Sequence, residues 1–388
     1  MAFLIFFSIV MGIYLLVNYY IYIRGLQAIP ADSTLRPWYQ WVFWIVVSFY
    51  VAGRFLEKVY LSHVSDFLVW AGSFWLAAML YFFLIVLLLD ILRLIHQVVP
   101  FLPEMITADI AKTKFVLLIA SVSMVTMVII GGFVNARIPR VNTLDLYIDK
   151  PAGNRTQLHA VVMSDIHLGT MIGNGFFSRI VDKVGELAPD IILLPGDILD
   201  EDLEPVIRQN IGKTLHQLRA PLGVYAIMGN HEHIGGAEQA YDYLKSHGMT
   251  IIRDSVIKID DGFYLVGRDD RDKKRFSGQD RMPLVDLLQN IDWSYPVILM
   301  DHQPYYLEKA AEKGVDLQLS GHTHHGQLWP LNFITRAIYT ISKGYGEVNG
   351  MHAYVSNGVG TWGPPVRIGS RPEILSLRIR FQDPASSS

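Results

Sequence analysis

The chain has 388 residues, about half of them apolar, a formal net charge of −3 and no cysteine. That length exceeds one ordinary soluble domain, and the charge gives no sign of a nucleic-acid partner. Without cysteine no disulfide framework can form, and any metal must be held by His, Asp, Glu or Asn.

The apolar excess is concentrated in the first 135 residues. Residues 2–23 carry no charge and reach the ~20 residues needed to cross a hydrocarbon core. A secretory signal fits them poorly, because no basic stretch precedes the run and no small-residue cleavage site follows it. A second apolar segment, 38–53, is rich in Trp, Phe and Tyr, as interfacial spans often are. A third covers 67–89 and is followed by an amphipathic stretch; a fourth covers 115–134. Residues 1–135 therefore read as an all-α bundle of about four transmembrane helices in an integral, multi-pass membrane protein. Four spans put both ends of the chain on one side. The loops opposite the C-terminal part carry Arg24, Arg36, Arg93, Lys112 and Lys114, against Arg54, Lys58, Arg137 and Arg140 on its own side. The positive-inside rule then leans toward an extracytoplasmic C-terminal domain.

After Asn135 the texture changes. A linker is expected over 136–150, a domain over 151–382 and a disordered tail over 383–388. Apolar runs of 4–8 residues, bounded by Gly, Pro and Asp, predict strands at 158–163, 191–194, 223–228, 250–253, 263–266, 297–300, 316–319, 352–355 and 374–380. Longer periodic stretches predict helices at 176–187, 202–218, 236–247, 282–290 and 304–312. Such alternation predicts a layered α/β domain.

Five of the apolar strands end in possible metal ligands. They lead into Asp165 and His167, Asp197, Asn230-His231-Glu232, His302, and His322-Thr323-His324-His325. In open α/β sheets ligands gather at the carboxyl ends of strands. Imidazole, carboxylate and amide oxygen are all metal donors. Residues at alternate positions of an emerging strand point the same way, so Asp165 and His167 can reach one ion, as can His322 and His324. Gly196, Gly229 and Gly321 stand just before ligands, where the backbone must approach without a Cβ in the way. One catalytic ion rarely takes more than three or four protein ligands. At least seven candidates point to two ions sharing a carboxylate.

These blocks, in this order, resemble the calcineurin-like metallophosphoesterase superfamily over about residues 155–380. Together with the N-terminal helices they are similar to its membrane-anchored branch, transmembrane proteins with a metallophosphoesterase domain. The resemblance implies an α/β/β/α sandwich. It implies one divalent ion on Asp165, His167, Asp197 and His324 and a second on Asp197, Asn230, His302 and His322. Asp197 would bridge them, and a hydroxide between the ions would attack phosphorus. His231 would protonate the leaving oxygen, and Glu232 would be an outer carboxylate that orients a histidine. Mn, Fe and Zn all suit these donors. His325 departs from the usual pattern and would touch substrate or face solvent.

The run from Arg268 to Arg275 reads as a solvated charged loop or, alternatively, as a basic rim in which Arg268 and Arg271 receive an anionic group. The same choice applies to Arg367 and Arg371. The reading in sum is a membrane-tethered, metal-dependent phosphohydrolase acting on a phosphodiester, phosphomonoester or pyrophosphate that is lipid-linked or membrane-proximal. A nucleotide or sugar-phosphate phosphodiesterase and a metal-binding scaffold without turnover are the alternatives. Oligomeric state has no signature in the sequence.

Overall fold

The computed structural model describes residues 2–383; apart from Asp383, the expected tail lies outside the described residues. The chain divides into two compact units, residues 1–133 and 134–388.

Unit 1 is helical, with α1 (Ala2–Ala28), α2 (Leu35–Val59), α3 (His63–Val98), the single turn α4 (Glu104–Thr107) and most of α5 (Ile110–Ala136). Three segments, Phe7–Ala28, His63–Val98 and Ile110–Ala136, are long and apolar enough to cross a membrane by length and composition. The second expected span lies in α2. This helix is long enough at 25 residues, but it carries Arg36, Arg54, Glu57 and Lys58 and buries only a stripe that includes Phe43, Val47 and Gly53. Phe43 and Val47 pack with Ile21 of α1, and Gly72 of α3 lies against the backbone of Tyr50. Small residues at helix crossings permit such close approach.

Unit 2 contains twelve strands: β1 (Arg140–Ile148), β2 (Gln157–Val162), β3 (Ile191–Pro195), β4 (Val224–Ile227), β5 (Thr250–Ile251), β6 (Ser255–Ile259), β7 (Phe263–Gly267), β8 (Val297–Met300), β9 (Leu317–Ser320), β10 (Gly344–Val348), β11 (Met351–Val355) and β12 (Glu373–Phe381). Its helices are short. They are α6 (Asn174–Glu186), α7 (Glu204–Arg208), α8 (Ile211–Leu215), α9 (Asn230–Gly235), α10 (Ala237–Ser246), α11 (Lys273–Ser277), α12 (Leu284–Leu287), α13 (Leu307–Ala311) and α14 (Asn332–Ile338). The strands form two six-stranded sheets, ordered β1-β12-β2-β3-β4-β5 and β10-β11-β9-β8-β7-β6.

The period-2 alternation of each strand builds the layers. On β2 and β3, Ala160, Val162, Ile191 and Leu193 face a core shared with Leu265, Ile298, Met300, Leu317 and Leu319 of the other sheet. The alternate residues Val161, Ile192 and Leu194 face Phe177 and Ile180 of α6, Leu215 of α8 and Leu244 of α10. Val266, Val297 and Leu299 turn outward onto Leu287 of α12 and Leu307 of α13. The result is an α/β/β/α sandwich.

Residues 136–150, expected as a linker, contain β1, which pairs in parallel with β12 along its whole length. Polar residues interrupt the apolar ones along this edge strand and only Leu146 and Ile148 are buried, so its sequence lacks an apolar run. The helix expected over 202–218 is broken into α7 and α8 by Asn210, which adopts a left-handed conformation.

Phe263 is fully buried between the sheets and stacks on Phe381. Phe263→Ala is expected to cost about 3–5 kcal/mol. Thermal unfolding of the full chain in detergent should therefore shift down by roughly 6–20 °C.

Candidate metal centre

Strands β2, β3 and β4 run parallel, as do β7, β8 and β9, so the carboxyl ends in each sheet share an edge. The chain leaves β2 into Ser164 and Asp165, β3 into Asp197, β4 into Asn230, β8 into His302, and β9 into His322 and His324. The backbone there is forced into unusual conformations. Asp165, His167, Asp197, His322, His324 and His325 all have φ between +44° and +70°. Each left-handed non-glycine residue costs of order 1–2 kcal/mol, and such residues cluster at functional sites. At Gly321 an added Cβ would collide with Ser164 Oγ and Asp165, which is why the loop can lie against Asp165 only as glycine.

Six of the seven expected ligands fall into two groups, all of them buried but His322, which is partly exposed. Asp165, His167 and His324 offer ligand atoms that lie together, and so do Asp197, His302 and His322. His167 Nε2 is 3.0 Å from His324 Nε2, and His324 Nε2 is 3.4 Å from Asp165 Oδ1. Asp197 Oδ2 reaches both groups, lying 3.1 Å from His302 Nε2 and 3.8 Å from His167 Nε2. Asn230, the seventh, places Oδ1 2.8 Å from His322 Nδ1.

Several ring nitrogens in this cluster face one another or a carboxylate rather than an ordinary hydrogen-bond partner. His302 Nδ1 donates to the carbonyl of Pro195 at 2.8 Å, and its Nε2 faces Asp197. That buried Nε2 makes no hydrogen bond, nor does the buried His167 Nδ1. Burial pushes the Asp165 carboxyl up. Burial also opposes the Asp197 charge, yet His302, His231 and His167 hold this carboxyl well below its ordinary range. His302 is disfavoured as a cation by burial but raised well above its usual value by Asp197, Asp165 and Asp270. His322 is driven down to about 3, first by burial and then by His302; His324 falls well below its usual value through burial and Arg367. The neutral imidazoles of His322 and His324, the ionised Asp197 carboxylate and two unbonded ring nitrogens converging on one place fit divalent metal ions.

One supporting group, Asp200, had no counterpart in the sequence reading, and Glu232 and Arg367 act otherwise than expected. Asp200 Oδ1 lies 3.0 Å from His231 Nδ1 and 3.8 Å from His167 Nδ1. Its only sequence signal is its place three residues after Asp197. Glu232 does not orient a histidine. Its carboxylate accepts the backbone N–H groups of Gly229 at 2.7 Å, Leu199 at 2.8 Å and Asp197 at 3.2 Å, and so pins the Asp197 turn. Arg367 is buried rather than at the rim. It donates to the carbonyls of Gly358 and Gly360 and to His324 Nδ1 at 3.0 Å. Its 43-residue separation from His324 hid that contact.

The substrate-binding expectations fare differently. Arg268 is tied to Asp301 at 3.1 Å and to the Met282 carbonyl at 3.2 Å, so it is not a free anion receptor. Arg271 stacks over Tyr305 at 4.2 Å, and Tyr305 packs on Tyr339, whose ring is 6.3 Å from that of His322. His325 is buried with Nδ1 3.3 Å from Ser342 Oγ, neither open to solvent nor within either ligand group. Nor is the Arg268–Arg275 run a solvated loop. Asp269 within it is buried and holds His233 at 2.8 Å and Lys273 at 3.0 Å.

Residues 158–326 match the family model for calcineurin-like phosphoesterases. An uncharacterized metallophosphoesterase of Aquifex aeolicus is 33% identical over 227 residues, covering 58% of this chain and 86% of that one. A zebrafish (Danio rerio) transmembrane protein with metallophosphoesterase domain is 30% identical over 284 residues, covering 70% of this chain and 64% of the relative. An uncharacterized metallophosphoesterase of Campylobacter jejuni is 28% identical and aligns over 98% of this chain and 99% of its own.

Glu232→Gln keeps the side chain's size but turns an NH2 group toward backbone donors. A hydrogen bond to a charged group contributes about 1.5–3 kcal/mol, so unfolding measured in chelator should show a loss of at least that size. An unchanged midpoint would mean that the Glu232 contacts contribute nothing to stability.

Proposed function

The chain belongs to the calcineurin-like metallophosphoesterase family, and from that premise we propose that unit 2 is a two-metal phosphohydrolase tethered to a membrane by unit 1. In this reading Asp165, His167, Asp197 and His324 hold one ion, and Asp197, Asn230, His302 and His322 hold the other. The observation that carries it is the position of Asp197 Oδ2 within reach of both histidine groups. Divalent Mn, Fe or Zn would supply positive charge to the phosphoryl oxygens and acidify water there.

The chain's own groups have separable tasks. Glu232 fixes the turn that presents Asp197. Asp200 holds His231 Nδ1, so the mobile proton sits on Nε2. Burial disfavours the His231 cation, but Asp197, Asp200 and Glu201 hold its pKa up to about 10. A protonated His231 suits delivery of a proton to the leaving oxygen. The substrate in this reading is a lipid-linked or membrane-proximal phosphoester. Tethering supports that, because it raises the effective concentration of membrane-borne substrates. With α2 counted as a fourth span, the loop charges favour the extracytoplasmic side for unit 2.

The full chain, purified in detergent with Mn²⁺, should hydrolyse a chromogenic phosphate monoester or diester in a chelator-sensitive way. Elemental analysis should find two ions per chain. Asp197→Asn should lower kcat by at least about a hundredfold, since such ions contribute several kcal/mol. Turnover indifferent to both chelator and Asp197→Asn would sink the reading.

His231→Gln should lower kcat by about 10²–10⁴-fold on an alkyl phosphoester and much less on a nitrophenyl ester, whose leaving group needs no proton. Equal losses on the two esters would argue against proton donation by His231.

A further inference from the structure

Beside His231 lies a surface that the hydrolytic reading leaves unused. Trp329, Phe333, Ile334, Ile338 and Trp362 are each about half exposed, at 48–57%. Helix α14 is inverted relative to a helix of a soluble domain. Its buried residue is polar Asn332, while Phe333, Ile334 and Ile338 face outward. The two loops that bear these side chains are one rigid rim. Gln327 Nε2 donates to the carbonyls of Trp362 at 3.0 Å and Pro364 at 2.9 Å, and Trp329 N donates to the Ile368 carbonyl at 2.7 Å. The Trp362 ring is 6.5 Å from that of His231, so the rim borders the mouth of the site.

Two further features say what covers it. From Leu317 to Gly346, and again from Asn349 to Pro372, the sequence holds no Asp or Glu. Arg336 and Lys343 are exposed within the first stretch. Apolar and aromatic side chains interleaved with cations are the composition of elements that lie in a membrane interface. Moreover, the chain leaves unit 2 at this rim. Asn135, in the last turn of α5, donates to the carbonyls of Arg367 and Ser370 at 2.9 Å each. The helix that ends there is long and apolar enough to cross a membrane.

We propose that Trp329, Phe333, Ile334, Ile338 and Trp362 dock onto an anionic lipid surface and seat the mouth of the site against it. The inference deepens the membrane-proximal reading above and rests on it. The docked rim would let a phosphoester headgroup enter the site while its hydrocarbon stays in the bilayer.

The absence of cysteine makes the test direct. Ile334→Cys, Ile338→Cys and, as control, Lys313→Cys in the exposed turn before β9 would each be spin-labelled in the full chain. Each would be placed in nanodiscs holding one copy and either anionic or zwitterionic phospholipid. Labels at 334 and 338 should collide with oxygen in preference to a water-soluble nickel chelate in anionic discs, and the label at 313 should show the reverse. Adding Arg336→Gln and Lys343→Gln should shift the docked-to-undocked ratio by about fivefold per charge removed. Labels at 334 and 338 as nickel-accessible as 313 would overturn the proposal. So would shielding from both reagents, which would mean that protein covers the rim. Equal immersion in zwitterionic discs would overturn the anionic assignment. Metal-dependent turnover in the same discs is read separately, so failure of docking and failure of the hydrolase reading are distinguishable.

Discussion

Asp165 and Asp197 lie fully buried among His167, His302, His322 and His324, with His231 at the edge. Removing charges from water is expensive, several kcal/mol for each ion even after relaxation. A cluster of this density persists only where the surrounding structure over-determines it. Much of unit 2 can be understood as that surrounding structure. Parallel strands from two sheets deliver the ligands to one edge. The cores on both faces of each sheet hold the strand ends still. Backbone turns in the left-handed region aim the side chains inward.

The second layer of contacts shows how this is done without leaving polar atoms unsatisfied. Glu232 accepts three backbone N–H groups and so is itself compensated. Arg367 answers two carbonyls of the 358–360 loop and reaches His324. The same loop is bonded to the Asp165 turn, with Val359 N donating to the Ser164 carbonyl and Gly360 N to that of Asp165, both at 2.9 Å. A segment nearly 200 residues downstream thus helps to hold the first ligand loop. It lies beyond the residues matched by the family model.

What was legible in the sequence follows from this division. Buried strands of parallel sheets read as short apolar runs, so β2, β3, β4, β8 and β9 stood out, and with them the residues at their ends. β1 and β10 lie on sheet edges and β6 pairs with a neighbour on one side only; they carry mixed polar residues and read as loops. The groups that make the cluster possible were harder to see. Asp200, Glu232 and Arg367 act on backbone atoms or on ring nitrogens of other segments, and those partners are set by tertiary structure. Arg268 shows the converse, since a charge-rich run suggests a surface for anions when its members are already paired inside the fold.

The same reasoning separates the centre from its rim. The centre is polar and buried, and its neighbours within the fold account for its strain. The rim is apolar and about half exposed. Phe333, Ile334 and Ile338 turn outward from α14, whose buried residue is Asn332. Solvent-facing positions that are apolar, on loops tied together by hydrogen bonds and flanked by cations, place a physical demand on something outside the domain. In a chain whose other half carries helices long enough to cross a bilayer, a lipid surface meets that demand at the edge of the site where a phosphoester has to enter.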